Sequence, residues 1–213
     1  MRNLQYYIIV IPAALIAISF HEMSHALAAR LLGDRTAESR GRLNFNPLSH
    51  IDPLGLLCMV FFGFGWARPV PVNPRYFKNP KTGMAVTAFA GPLSNFVLGF
   101  VSLFLYIALT VSFSGRVVSA FAQFMYVLAT MNVGLGIFNL IPIPPLDGSK
   151  ILFMFLPNRW AAWCYQYEGY IRFGLVFCLY LGLLDGVIVA GQSFVLGRFL
   201  TWGLKICSAV GLL

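Results

Sequence analysis

Long runs of apolar residues alternate with short polar segments along this chain. Three runs, at residues 4–20, 84–113 and 117–141, approach or exceed the roughly 18–20 residues that a helix needs to cross a bilayer. Further apolar sequence follows between residues 173 and 213. Since a segment that crosses lipid must satisfy its own backbone hydrogen bonds, the pattern predicts an all-α, polytopic membrane protein.

Glycine, proline and aspartate mark the helix boundaries. The first helix is predicted from about residue 4 to residue 32, with Pro12 inside it and Gly33-Asp34 at its end. A membrane helix tolerates the proline. After residue 170, breaks at Asp185-Gly186 and Gly191-Gln192 predict one or two further spans. The chain is therefore expected to form about five or six transmembrane helices.

The sequence between the first two long runs has a different character. Residues 33–53 form a polar, basic loop, and residues 54–65 are apolar but too short to span a membrane. Residues 66–80 are rich in proline, which disfavours a helix and predicts extended structure. We expect a small extended hairpin at the membrane edge here, with a solvent-exposed linker as the alternative. A short helix is expected to start near Gly148.

The composition supports the membrane assignment. Apolar residues make up 59% of the 213 residues and charged residues only 10%, whereas a soluble domain carries about 25% charged residues. Too little charge is present to cover a water-exposed surface of this size. Because no repeat or low-complexity segment divides the sequence, residues 1–213 are predicted to form a single domain.

The net charge of +8 is concentrated beside the predicted spans. Basic residues cluster after the first long run, before the second and after the third: Arg30, Arg35, Arg40, Arg42, Arg68, Arg75, Lys78, Lys81, Lys150, Arg159 and Arg172. Cytoplasmic loops carry such an excess, so residues 33–81 are expected inside and the turn at Arg116 outside. This distribution argues against a nucleic-acid partner and predicts a multi-pass protein of the inner (cytoplasmic) cell membrane.

Two other features of the sequence bear on processing and redox chemistry. Four cysteines, Cys58, Cys164, Cys178 and Cys207, show no C-x-x-C spacing, so small apolar fillers are expected and not a disulfide frame. The N-terminal run followed by Ala26-Leu27-Ala28 loosely resembles a signal peptide. Cleavage there would discard the most informative motif of the chain, which disfavours this alternative.

That motif is His21-Glu22-Met23-Ser24-His25, within the first predicted helix. Histidines at i and i+4 project from one face of a helix and can bind one zinc ion. Glu22 is placed to act as general base and acid toward a zinc-activated water. Ionisable groups are costly in a membrane helix unless they are paired or bound. A pair of core histidines, hydrogen-bonded to neighbouring helices, is the alternative.

A catalytic zinc ion takes three protein ligands and keeps a fourth position for water. The other acidic residues of the chain are few: Asp34, Glu38, Asp52, Asp147, Glu168 and Asp185. Asp147 follows a proline-rich run that enforces irregular backbone, and such backbone occurs at membrane depth only where it is buried or lines a cavity. Asp147 is therefore a candidate ligand, with a helix cap beside Gly148 as the alternative.

Three elements, in this order, resemble the site-2 protease family of intramembrane zinc metalloproteases. They are H-E-x-x-H at residues 21–25, G-P-x-x-N at residues 91–95 and N-x-x-P-x-P-x-x-D-G at residues 139–148. The resemblance is strongest to the small bacterial and archaeal branch without PDZ or CBS domains, where residues 41–53 also have a familiar form.

The resemblance implies one zinc ion (Zn2+) per chain, held by His21, His25 and Asp147. It also implies that Glu22 is the catalytic general base and acid. The catalytic core would then occupy about residues 4–150, with additional C-terminal spans in residues 151–213.

The resemblance also suggests residues that contact the substrate. Asn95 would hold the substrate backbone or the developing oxyanion, with interhelical hydrogen bonding as the alternative. Asn139 and His50 are further candidates for such contacts, although a histidine held within its own loop explains His50 equally well. An extended edge at residues 65–73 can capture an unwound substrate by β-augmentation.

The predicted activity is hydrolysis of peptide bonds in membrane-embedded or membrane-associated protein segments. Transmembrane or signal-peptide-derived proteins are the expected partners, reached through the lipid bilayer or from its cytoplasmic edge, with the active site nearer the cytoplasmic side. Two rival classes are a cation transporter and an inactive scaffold. A transporter gives Glu22 no role and tends to show duplicated broken helices, and a scaffold needs no intact catalytic set. No oligomeric state is predicted.

Overall fold

A computed structural model of the protein describes residues 4–62 and 65–212. The regular secondary structure of the described residues is helical, with no β-strand among them, which confirms the all-α class. The remaining positions are 1–3, 63, 64 and 213. All six belong to the predicted single domain, and positions 63 and 64 also belong to the predicted apolar segment 54–65. These parts of the two predictions lie outside the described residues.

The helices follow one another in a simple order. They are α1 (Leu4–Leu31), α2 (Thr36–Ser39), α3 (Pro47–His50), α4 (Pro53–Phe62), α5 (Pro80–Ser112), α6 (Arg116–Leu140), α7 (Asp147–Phe155), α8 (Asn158–Gln166), α9 (Glu168–Tyr180) and α10 (Asp185–Ala209), with one 3₁₀ turn at Pro74–Tyr76. The first predicted helix is confirmed: α1 contains Pro12 and is followed by Gly33, whose φ of 105° no other residue type adopts readily. The predicted short helix near Gly148 is also confirmed, as α7.

Four of these helices are long and apolar enough to cross a membrane: Tyr6–Leu31 within α1, and α5, α6 and α10. The protein is therefore a multi-pass membrane protein. Helix α9 has only 13 residues, fewer than the roughly 17 that a span needs. The larger number of five or six spans stays a prediction.

The predicted break at Gly191-Gln192 is wrong, because α10 continues through both residues. The Gln192 side chain donates a hydrogen bond of 2.7 Å to the carbonyl oxygen of Thr130 in α6. Gly191 lies close against the Ile137 side chain. Small and polar residues of this kind are common where membrane helices contact each other, so these two residues mark an interhelical contact and not a turn.

The chain divides into two compact units. The first contains Met1–Ala17, Asn95–Phe138 and Phe177–Leu213. Its apolar core consists of Leu103, Ile107, Ala129 and Cys207, with Phe104, Tyr106, Leu196 and Phe199 packed around it. The buried Cys207 is thus one of the small apolar fillers that the sequence predicts.

The second unit contains Ile18–Ser94 and Asn139–Val176. Many of its buried side chains are ionisable: His21, Glu22, His25, Asp34, Arg42, His50 and Asp147. Burial of such groups is unfavourable unless they are paired, hydrogen-bonded or bound to a metal. This unit is therefore where a functional site is to be sought.

Residues 67–73 of the second unit, called the edge segment here, contain no helix, and the Asn73 backbone is extended. A single antiparallel bridge joins Ala67 to Ile51, and the Arg68 N–H donates to the carbonyl oxygen of His50 over 2.9 Å. The expectation of non-helical structure for residues 66–80 is thus confirmed for residues 66–73, whereas Pro74–Tyr76 form a 3₁₀ turn. One bridge does not make a hairpin, so the hairpin stays a prediction.

Candidate metal centre

Helix α1 directs the His21 and His25 side chains to a common point. The two residues are four apart and lie one turn from each other on one helix face. Their Nε2 atoms are 3.0 Å apart, and the ring planes are nearly perpendicular, at 88°. Both side chains are buried, so the two nitrogen atoms meet inside the second unit and away from its surface.

Asp147 brings the third polar atom to the same point. Its Oδ2 lies 3.1 Å from His21 Nε2 and 3.1 Å from His25 Nε2. The N-cap of α7 is Leu146, with no side-chain cap hydrogen bond, so Asp147 is not acting as the helix cap. Gly148 allows this placement, because a Cβ atom there would lie 2.2 Å from the carbonyl oxygen of Leu140.

The backbone of α5 orients the His25 ring. His25 Nδ1 lies 2.7 Å from the carbonyl oxygen of Thr87, and a carbonyl only accepts, so Nδ1 carries the proton. In a neutral ring the Nε2 lone pair then points to Asp147. Metal-binding histidines commonly have this arrangement, with the second ring nitrogen donating to a carbonyl or carboxylate.

The three donor atoms fit a zinc ion. His21, His25 and Asp147 are the one group of three possible ligands found among residues 4–62 and 65–212. A tetrahedral zinc site with bonds of 2.0–2.1 Å separates its ligand atoms by about 3.3 Å, close to the 3.0–3.1 Å measured here. When the His25 ring is neutral, its Nε2 and Asp147 Oδ2 are both acceptors, so neither can donate to the other. A cation shared by the two atoms would satisfy both.

Lys150 holds the other oxygen of the same carboxylate. Its Nζ donates to Asp147 Oδ1 over 3.0 Å, one helical turn along α7, which leaves Oδ2 to the histidines. Burial raises the pKa of the Asp147 carboxyl. The charge of His25 in its protonated form, the hydrogen bonds with His21 and His25, and the Lys150 ammonium outweigh burial and hold that pKa well below its ordinary value. The carboxylate is therefore ionised at neutral pH, as a metal ligand must be.

Gly91 of α5 lies directly against the two imidazole rings. A Cβ atom at this position would lie 2.5 Å from His25 Cε1 and 2.6 Å from His21 Cε1. Any side chain at residue 91 would therefore displace the rings. This contact gives the glycine of the G-P-x-x-N element a role that the sequence did not reveal.

Glu22 lies between the two histidines in the sequence and is buried, but it is not one of the three residues whose donor atoms meet. Its Oε2 accepts a hydrogen bond of 3.0 Å from the backbone N–H of Val70 in the edge segment. No hydrogen bond to its Oε1 occurs among the described residues. One carboxylate oxygen is thus held by the backbone, and the other is available.

Asn95 belongs to the first unit. Its amide Nδ2 donates to the carbonyl oxygen of Ala17 over 3.2 Å and to Asn132 Oδ1 over 2.8 Å. Asn132 in turn donates to the carbonyl oxygen of Leu128. Both amide hydrogens of Asn95 therefore take part in contacts between helices, and the role in binding substrate stays a prediction.

His50 is fully buried in its own loop. Its Nε2 lies 2.8 Å from the carbonyl oxygen of Asn44, and its backbone carbonyl accepts from Arg68. These contacts hold the loop and the edge segment together. Asn139 lies one residue before the end of α6 and is partly buried. Contact with substrate stays a prediction for both His50 and Asn139.

Sequence reasoning missed several contacts of this site. Lys150 had a usable signal, since it lies three residues after Asp147 and that spacing places both side chains on one helix face. The carbonyl of Thr87 and the N–H of Val70 had no such signal in the sequence. Every residue has a backbone carbonyl, and every residue except proline has a backbone N–H.

Fold and site together define the class of protein: an all-helical, multi-pass membrane protein with a buried His–His–Asp centre fit for a metal ion. Residues 109–181 match the family model described as peptidase family M50. YwhC of Bacillus subtilis (strain 168), which is named a putative zinc metalloprotease, is 37% identical over 205 residues, or 92% of each chain.

Two more distant relatives carry similar names. Rip2 of Mycolicibacterium smegmatis, named a putative zinc metalloprotease, is 31% identical over 156 residues, which cover 70% of this chain and 58% of Rip2. MJ0392 of Methanocaldococcus jannaschii, named a zinc metalloprotease, is 24% identical over 161 residues, which cover 76% of this chain and 38% of MJ0392. No solved structure matches the chain significantly.

The chain belongs to peptidase family M50, the site-2 proteases, and it is a zinc metalloprotease. The resemblance inferred from the three sequence elements is thereby confirmed.

Proposed function

We propose that this metalloprotease hydrolyses peptide bonds of membrane-embedded or membrane-associated protein segments. His21, His25 and Asp147 hold the zinc ion, and Glu22 is the catalytic general base and acid. The observation that carries the proposal is that three buried donor atoms lie within 3.1 Å of one another. Two of them belong to His21 and His25, which flank Glu22 in the sequence of α1. All four residues fall within residues 4–150, the proposed catalytic core.

The ligands, Glu22 and Val70 have different roles in the proposed hydrolysis. A zinc ion bound by the three ligands supplies Lewis-acid chemistry toward a peptide carbonyl and water. The free Oε1 of Glu22 accepts a proton from the attacking water, and the carboxyl group later delivers it to the leaving amine. The Val70 N–H keeps Oε2 occupied and so limits the orientations of the carboxylate.

A helix must unwind before its peptide bonds become accessible, because its backbone groups are engaged in hydrogen bonds. We propose that the edge segment receives the unwound stretch of substrate by β-augmentation. Pro69 and Pro71 have no N–H, so Arg68, Val70 and Val72 alternate with them as donors. Arg68 and Val70 are engaged, and among the described residues the Val72 N–H has no partner.

The test of the proposal is cleavage of a single-span model substrate by the purified protein, with wild type compared with Glu22→Gln. The masses of the fragments locate the cut. We expect it inside the apolar segment or at its edge, with fragments formed at least roughly a hundredfold more slowly by the variant than by wild type.

Proline at residue 70 or 72 should impair cleavage while the zinc content stays normal. Each substitution removes one backbone N–H. At residue 70 this is the N–H that contacts Glu22, and at residue 72 it is the N–H without a partner among the described residues. Alanine at the same positions keeps the N–H and is the matched control. The measurement is cleavage rate and zinc per protein for all four variants. Unchanged cleavage in both proline variants would favour the linker interpretation.

We also propose a location and an orientation. The protein resides in the inner (cytoplasmic) cell membrane, with residues 33–53 and 66–81 on the cytoplasmic side, since these segments carry the basic clusters. His21 lies about 26 Å along α1 from Leu4, at a rise of 1.5 Å per residue. The active site would then be nearer the cytoplasmic surface than the outer one.

Cysteine labelling tests this orientation. Ser39 and Ser114 are both exposed and lie on opposite sides of the membrane in the proposed topology. In a background without the four native cysteines, an impermeant reagent added outside should label Ser114→Cys and not Ser39→Cys. A permeant reagent, the control, should label both. Labelling of both by the impermeant reagent from one side would contradict the topology.

A further inference from the structure

The loop element at residues 41–53 has no part in the metal centre, yet it contacts the edge segment at several points. His50 accepts the Arg68 N–H through its carbonyl oxygen, and Ile51 forms the bridge to Ala67. These contacts are made by backbone atoms. They hold the first residues of the edge segment against the loop.

Arg42 adds a side-chain contact to the same segment. Its Nη2 donates to the carbonyl oxygen of Arg68 over 2.5 Å and, more weakly, to that of Pro69 over 3.3 Å. Arg42 is only 8% exposed, so this guanidinium is not a solvated surface group. A hydrogen bond from a charged donor is about twice as strong as a neutral one, which makes Arg42 the strongest restraint on these carbonyls.

The contacts of Arg42 lie immediately before the residue that contacts Glu22. Pro69 has no N–H, so Val70 is the first residue after the Arg42 contacts that can donate, and its N–H reaches Glu22 Oε2. The far end of the edge segment is fixed independently, because the Asn73 N–H donates to Asp34 Oδ2 over 2.6 Å. Residue 70 is thus held between two anchored points.

We propose that Arg42 is a positioning residue for Glu22. By holding the carbonyls of Arg68 and Pro69, it places the Val70 N–H so that this donor orients the Glu22 carboxylate. Among the described residues, the Arg42 side chain donates hydrogen bonds to the edge segment and to no atom of Glu22 or the three ligands, so it acts through that segment. The inference rests on the proposed function of Glu22 as general base and acid.

Two substitutions distinguish the hydrogen-bond donor of Arg42 from the planar shape of its guanidinium group. Arg42→Met keeps an apolar side chain of similar length but removes the donor. Arg42→Lys keeps a positive charge and a donor, without the planar guanidinium. Arg40→Met is the matched control, since Arg40 lies two residues before Arg42 and is exposed.

The kcat at saturating substrate should fall roughly tenfold to hundredfold in Arg42→Met, the size expected for a misplaced catalytic group. Arg42→Lys should restore part of it, and Arg40→Met should match wild type. Zinc should remain near one per chain in all three. Amide hydrogen exchange of the peptide that contains Val70 should be faster in Arg42→Met than in wild type or Arg40→Met.

The same substitution in a Glu22→Gln background decides between positioning and a merely structural role. If Arg42 acts through Glu22, adding Arg42→Met there should change the residual kcat by less than about twofold. An equal fall of kcat in both backgrounds, or loss of zinc, would mean a structural role and overturn the inference. If Arg42→Met has the wild-type kcat while Glu22→Gln is slow, only this inference is overturned. If Glu22→Gln is fully active, the proposed function is overturned.

Discussion

Glu22→Gln should retain about one zinc ion per chain and cleave a model transmembrane substrate at least roughly a hundredfold more slowly than wild type. The magnitude is the lower end for loss of a positioned general acid–base. Glutamine keeps the size of the side chain, and its amide oxygen can still accept from the Val70 N–H. It cannot take up a proton at neutral pH. The measurements are zinc per protein in detergent-purified samples and the rate of fragment formation.

Glu168→Gln is the matched control for this substitution. Glu168 pairs with Arg172 one helical turn away, on an exposed face of α9, and exposed pairs of this kind contribute little to stability. This control should cleave at the wild-type rate. Full activity of Glu22→Gln would rule out the proposed mechanism.

Asp147→Ala should lower the affinity for zinc more than about a hundredfold, and cleavage should fall with it. The substitution removes one of three protein ligands, and loss of a partner that only orients a ligand already costs 10–100-fold in metal affinity. It also leaves His21 and His25 without the carboxylate that lies 3.1 Å from both. His21→Ala should behave in the same way. Zinc is measured by competition with a chromogenic chelator, and cleavage on the same samples.

The matched control is Asp185→Ala, an exposed aspartate in the first turn of α10. It should bind zinc like wild type. Normal zinc affinity in Asp147→Ala would exclude this residue as the third ligand. The remaining acidic side chains would then have to be tested one by one.

The spans and the pair of histidines could be predicted because their signals are local. Apolar runs of sufficient length predict α1, α5 and α6 without knowledge of the tertiary structure. The spacing of His21 and His25 predicts their common helix face from the same geometry. Both predictions need only neighbouring residues of the sequence.

The contacts between distant parts of the chain could not be derived in this way. Asp147 is 126 residues from His21, and the family resemblance, not residue spacing, identified it as the third ligand. The break predicted at Gly191-Gln192 was wrong for a related reason, because glycine favours a turn or a close helix contact equally and only the tertiary structure distinguishes them.

Backbone groups were the least accessible to sequence reasoning. The Thr87 carbonyl and the Val70 N–H contact the two most important side chains of the site, and neither depends on the identity of the residue that provides it.

Gly91 determines when the histidine side chains become ordered. Because the backbone of α5 lies directly against both rings, their rotation is restricted as soon as the protein folds. Immobilising a flexible side chain costs about 0.5–1.5 kcal/mol when it happens during binding. Here that loss of entropy is complete before an ion arrives, so a helix that contributes no ligand makes the centre preorganised and thereby raises its affinity for metal.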